Sequence, residues 1–222
     1  MNNAPANGGG YYPGPWSGED GGPQRLQAAV GLRGLNIKPG ESLIPKASRR
    51  LCTGNMVVLR DPGEVYLMHV DTLRDKLGMH CHAHIEKLDP ETLAPIARST
   101  RLKGGKWWPG GFCVHRNGDL YVTFGRHLHR LNPDCELVAS KRLPQDLPYN
   151  SHVVLDNGFI VTKPIASEGS TSLLVLDPGG LRLSQLGDPG LEAQPRQAGA
   201  GANLATPRLW YGRTHYLLRG HG

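Results

Sequence analysis

A motif in which a short alternating strand meets a glycine turn and a second strand follows occurs three times in this chain, and no other feature limits its fold as much. The copies are MVVLRDPGEVYLMHVD at 56–71, CVHRNGDLYVTFG at 113–125 and VVLDNGFIVTKP at 153–164, with turn glycines Gly63, Gly118 and Gly158. Asn-Gly at 117–118 and 157–158 predicts tight hairpins in which both central residues take positive φ. Each copy is followed by a second signature: IEKLDPETL at 85–93, LHRLNPDCEL at 128–137 and LLVLDPGGLRL at 173–183. Its leucines, Leu88, Leu131 and Leu176, stand 43 and 45 residues apart. The Asp or Asn before proline starts the next turn, since the ring fixes φ and the short polar side chain bonds the backbone beyond it.

Each unit therefore reads as an inner strand, a turn, a second strand, a third strand ending at Leu-Asp-Pro or Leu-Asn-Pro, and an outer strand such as LVASKRL at 137–143. Four short strands in such a period form the blade of a β-propeller. The first interval between turn glycines is longer than the second, 55 residues against 40, and the excess maps to an inserted loop at 71–82. Val65, Leu120 and Ile160 fall in one register and Tyr66, Tyr121 and Val161 in the next, as expected for strands packed on both faces. Helical periods between the strands are missing, which excludes a TIM barrel or a Rossmann domain. The 30 Gly and 18 Pro among 222 residues agree with many short strands joined by turns. The expected fold class is all-β: propeller blades of four antiparallel strands, about three of them recognisable, in an incomplete ring.

The flanks read differently. Residues 1–24 are rich in Gly, Pro and Asn and poor in aliphatics, and are expected to form a disordered leader. The partial propeller spans 25–188. After about Gly187 the alternation gives way to Ala, Gly, Gln and Arg, so 189–222 is expected to be an irregular tail.

The formal charge of +6 is spread over scattered basic residues with no run of five or six, which argues against nucleic-acid binding. Cys52, Cys81, Cys113 and Cys135 stand alone, with no CxxC spacing and no secretory signal ahead of them, so reduced thiols in a cytoplasmic protein are expected. No apolar run approaches the ~20 residues of a membrane helix. The expected partners are a small-molecule ligand or another protein.

In a propeller the innermost strands line the axis, and ligand sites gather at its mouth. Counting back from the turn glycines makes Asn55, Gly110 and Asn150 equivalent, with His152 two residues beyond Asn150 on the same strand face. Asn55, Asn150 and His152 could converge as ligands for an ion or a polar substrate, or the asparagines could satisfy exposed backbone groups. His80, His82, His84 and Glu86 alternate as metal ligands on a strand would, but Cys81, Ala83 and Ile85 make the other face apolar, so an amphipathic strand with its polar face in solvent is expected. Trp107 and Trp108 could wall a pocket or pack between blades. Cys113 and His115 lack an orienting third group, so a cysteine nucleophile is not expected there. No serine-hydrolase elbow, zinc-protease helix, phosphate loop or dinucleotide fingerprint is present.

The stretches RNGDLYVTFGRHLHRLNP and DNGFIVTK resemble the six-bladed propellers of the gluconolactonase, regucalcin, paraoxonase and strictosidine-synthase-like superfamily, over roughly residues 52–186. The resemblance implies a calcium or zinc ion held at the axis by Glu, Asn and Asp, with lactones or esters opened by metal-activated water. Asn150, in PYNSHVVLDNG, is similar to the family's channel asparagine and is the residue the resemblance assigns to metal. The family's early Glu-Gly-Pro segment is replaced here by Thr53-Gly54-Asn55. The function expected is a propeller-type ligand-binding or interaction protein without a catalytic set, the alternative being a metal-dependent lactonase or esterase.

Overall fold

The computed structural model describes residues 9–22, 25, 27, 36–49, 54–71, 77, 79, 81–105, 110–165 and 173–184. Among these the chain forms three antiparallel sheets in succession. The first holds β1 (Gly54–Leu59), β2 (Val65–Val70), β3 (Cys81–Leu88) and β4 (Pro95–Arg98) in chain order, with β5 (Leu102–Gly105) also on β3. The second holds β6 (Gly111–Val114), β7 (Leu120–Phe124), β8 (His127–Leu131) and β9 (Leu137–Arg142). In the third, β10 (Tyr149–Val154), β11 (Ile160–Pro164) and β12 (Leu174–Leu176) are joined by a bridge from Leu176 to Leu183 at the fourth-strand position. The fold is all-β, and each sheet is the up-and-down meander expected of a blade. No helix among the described residues is long and apolar enough to cross a membrane.

The three signature leucines hold one register: Leu88 opposite Val65, Leu131 opposite Leu120, and Leu176 opposite Ile160. The inserted stretch lies between β2 and β3, where ten residues make the connection that Gly125 and Arg126 alone make between β7 and β8. The turns differ from two-residue hairpins. Only Gly63, Gly118 and Gly158 take positive φ, at +84°, +88° and +91°, while Asn117 and Asn157 do not. Each closes a five-residue loop, and the two asparagines accept through Oδ1 from the amides of Asp119 and Phe159 at 3.0 and 3.1 Å. The asparagine thus serves as a side-chain turn former rather than as a second left-handed residue.

The sheets stack face to face. Val58, Tyr66, Met68 and Ile85 of the first pack with Phe112, Val114, Leu120 and Val122 of the second. The opposite face of the second sheet sends Cys113, Tyr121 and Leu128 against Tyr149, Ile160 and Leu176 of the third. Every residue of β7 is buried, because that sheet is covered on both sides. Turn arginines fasten each seam: Arg60 Nε donates to the Gly118 carbonyl at 3.2 Å, and Arg116 donates to the carbonyls of Asp156 and Asn157 at 2.8 and 2.7 Å. The first strands lie side by side, β1 against β6 and β6 against β10.

Of the expected leader, positions 1–8 and 23–24 lie outside the described residues, while residues 9–22 lie along the first two sheets. Tyr11 bridges His115 and Trp16 bridges Leu59, both antiparallel, so this segment pairs with the free edges of β6 and β1. The Tyr12 amide donates to the Val114 carbonyl at 3.0 Å, the Val114 amide to Ser17 at 2.7 Å, and the Leu59 amide to Trp16 at 2.8 Å. Two factors outweigh the ordering entropy that the composition implies. Unpaired inner edges need partners, and glycine permits close approach, since a Cβ at Gly10 would lie 2.1 Å from Val154 Cγ1. The expected irregular tail at 189–222 lies outside the described residues.

The histidine strand also departs from expectation. Glu86 is buried and bonded to Arg49 at 2.5 Å, with Arg98 at 3.5 Å. His84 is half-buried and bonded through Nδ1 to the Ser99 carbonyl at 3.3 Å. The polar face of β3 is covered rather than bathed in solvent, because residues outside the meander lie on it.

Candidate functional site

The chemistry-bearing residues gather where β6, β7 and β10 meet beneath residues 9–22. Two glycines open the space. Gly110 takes φ +66°, and a Cβ there would lie 1.9 Å from the Thr123 carbonyl oxygen; a Cβ at Gly111 would lie 3.0 Å from His152 Nδ1. The His152 ring therefore settles over Gly111, between two side chains of the second sheet. Its Nδ1 is 2.8 Å from Thr123 Oγ1 and its Nε2 is 3.0 Å from Cys113 Sγ.

All three residues are buried. Burial pulls the His152 imidazole down to about 3, helped by the positive field of Arg25. Burial alone pushes the Cys113 thiol well above its ordinary range. The resting pair is thus thiol and neutral imidazole, not thiolate and imidazolium.

A second cluster lies next to it on β10. Ser151 Oγ donates to Glu19 Oε2 and accepts from Arg25 Nη2 at 2.9 Å, and Arg25 and Glu19 pair at 3.1 Å. Tyr11, whose hydroxyl burial holds far above its ordinary range, accepts the Val154 amide at 3.2 Å. A Cβ at Gly18 would lie 3.6 Å from Cys113 Cβ. Residues 9–22 thus lie directly against the cysteine and reach Ser151, the neighbour of the histidine.

The residues singled out in the sequence fall as follows. His152 is at the centre of the cluster, but it faces the second sheet rather than an open axis. Its partnership with Asn150 on one face is broken by a register shift between Tyr149 and His152, where β10 gains a residue over β11. His152 therefore shares its face with Tyr149. Asn150 is half-buried, and its carbonyl accepts from Thr162 Oγ1 at 3.3 Å. Asn55 lies in β1, but its side chain is outside the described set, as are Trp107, Trp108 and His80. Cys113 does not pair with His115, which accepts the Asn117 amide at Nδ1 and donates to the Gly158 carbonyl at 3.0 Å. The Cys113–His152–Thr123 set was missed because its members come from three strands. The Gly110-Gly111 pair is the one local sign of a close approach there.

The donor set does not fit the calcium or zinc ion that the resemblance implies. Calcium needs six to eight oxygen ligands with carboxylates among them, and zinc a close group of His, Cys or carboxylate. Among the described residues no three His, Cys, Asp or Glu side chains group to hold an ion. The carboxylate that reaches β10, Glu19, is engaged by Ser151 and Arg25.

No protein-family model matches the chain, and no curated protein matches it. Among solved structures it is similar to a protein of unknown function from Bacteroides caccae, at 11% sequence identity and a TM-score of 0.41, over 62% of this chain and 47% of the other. The chain thus spans about half the length of that structure.

Proposed function

We propose that this chain is a propeller-type binding protein of the gluconolactonase-like architecture that engages an extended polypeptide along the inner edges of its first strands. The observation that carries this reading is the pairing of residues 10–17 with β6 and β1. Their backbone groups make the bonds that a ligand strand would make, and the hydroxyls of Tyr11 and Tyr12 add side-chain contacts to the Val154 amide and the Asp61 carboxylate. Strand addition of this kind takes its affinity from main-chain bonds and its specificity from alternate side chains. The chain's own segment then acts as a built-in competitor. The three stacked meanders with adjacent first strands support the propeller part of the reading.

The test uses a fluorescein-labelled peptide with the sequence of residues 9–22, titrated by anisotropy against the wild type and a Tyr12→Ala/Trp16→Ala variant. The variant is expected to bind the peptide saturably and more tightly than the wild type, because its own segment competes less well. A folded variant that binds no peptide, together with calcium- or zinc-dependent hydrolysis of a simple lactone, would move the assignment to the hydrolase.

A further inference from the structure

Cys113, His152 and Thr123 form a three-membered arrangement with the connectivity of a nucleophile, a base and an orienting group. A thiol is the donor in this pair and sulfur a weak acceptor, so Nε2 accepts from Cys113 and Nδ1–H donates to Thr123 Oγ1. That tautomer leaves Nε2 free to take the thiol proton. What keeps the set silent is its cover: Gly18 rests against Cys113, Tyr11 packs on Gly18, and Glu19 with Arg25 grips Ser151 beside His152. The grip is polar and partly exposed, with the side chains of Glu19 and Arg25 each 23% accessible, so it is the part of the cover most readily released.

We infer that Cys113 is a latent thiol modification site for small uncharged carbon electrophiles, with His152 as its proton acceptor, Thr123 positioning the imidazole, and residues 9–22 as a releasable cover. When the cover lifts, water reaches the pair and relieves the desolvation that keeps both members neutral. In the reaction, the Cys113 S–H proton passes to His152 Nε2 and the sulfur pair forms a bond to the electrophilic carbon. The leaving group departs with the electrons of its own bond. This inference does not depend on peptide binding along the strand edges, since it requires only that the segment move.

The experiment is timed alkylation of the full chain with iodoacetamide, read by mass spectrometry of the tryptic peptide WWPGGFCVHR. In that probe the sulfur attacks the methylene carbon and iodide leaves. Cys81 and Cys135 are buried in the other core cluster and report global unfolding in the same sample. Glu19→Gln, which keeps the shape of the grip but not its charge, is expected to speed labelling of Cys113 by tenfold or more while Cys81 and Cys135 stay protected. His152→Gln in the Glu19→Gln background is expected to slow Cys113 at least tenfold at neutral pH and to shift its pH profile to that of a simple thiol. Tyr11→Ala offers a second way to loosen the cover. The proposal is overturned if Cys113 reacts only together with Cys81 and Cys135, if it stays inert in both cover variants, or if its rate and pH profile ignore His152.

Discussion

The Tyr66 hydroxyl donates to the Pro133 carbonyl at 2.9 Å across the seam between the first and second sheets, and the Tyr121 hydroxyl repeats that bond to Pro178 at 2.7 Å across the next. Both tyrosines hold the same register one residue into the second strand, and both acceptors belong to the Asx-Pro turn of the following sheet. The repeat thus carries its inter-sheet fastening in its own period. Val161 occupies the third equivalent position, so this latch ends with the second seam.

Removing one hydroxyl leaves a ring that still fills its space but strips a donor from a turn carbonyl. Tyr66→Phe and Tyr121→Phe are each expected to cost about 1–2 kcal/mol, and the double variant should cost the sum, because the two seams are separate. Urea unfolding of the three variants checks this. A double variant within experimental error of wild type would mean that the latches do not hold the seams.

The cover yields a prediction at Gly10. A side chain there would meet both Val154 Cγ1 at 2.1 Å and the Leu155 carbonyl at 2.3 Å, with backbone on one side and a packed strand on the other. Gly10→Val is expected to detach residues 9–22 while the sheets persist. Exchange of the Val114 and Arg116 amides, which now donate to Ser17 and Gly10, should then accelerate at least about tenfold, equivalent to roughly 1.4 kcal/mol of local stability. Hydrogen exchange resolved by residue reads this directly, with the β7 amides as the unchanged reference.

What was legible in the sequence is what repeats. The spacing of Leu88, Leu131 and Leu176 carried the register, and alternation around Leu120 and Tyr121 carried the two-sided burial, because a strand writes its environment with a period of two. What was illegible depended on contacts with no period. The register shift between Tyr149 and His152 has no sequence mark, yet it separates the faces of Asn150 and His152. Cys113 and His152 meet from positions 39 residues apart. Gly10, Gly14 and Gly18 read as disorder by composition, whereas here they let a backbone lie close against strand ends. Glu86 looked solvent-facing because its cover, Arg49, comes from elsewhere in the chain.

Arg126 is a third point of control. Its side chain is largely buried, with Nη1 2.5 Å from Asp146 and Nη2 donating to the carbonyls of Leu143 and Pro144 at 3.0 and 2.9 Å. This fork holds the link from β9 to β10, the strand that carries His152. A lysine ammonium is a point charge and cannot reproduce it. Arg126→Lys is expected to lose about 1–3 kcal/mol, seen as a lower urea midpoint.

Acid should weaken the fold through two histidines held neutral. Burial pulls His129 down to about 4, opposed by the Lys103 carbonyl and aided by the charge of its stacked neighbour His127, and pulls His152 down to about 3. An unfolded histidine titrates near ~6.5. Between that value and the folded values the unfolded chain binds more protons than the native one, so stability rises with pH across this window and falls as pH drops through it. The contribution is fully present above about pH 6.5. For His129 the loss by pH 4 is on the order of 2–3 kcal/mol. His129→Gln keeps a donor toward Lys103 and cannot titrate, so it should flatten the slope between pH 6.5 and 4 even if it lowers stability at neutral pH. Urea midpoints at half-unit pH intervals measure the slope. An unchanged slope in His129→Gln would mean that His129 contributes little and that His152, the other histidines that burial pulls down (His84, His115 and His127) or the acidic groups dominate the acid limb.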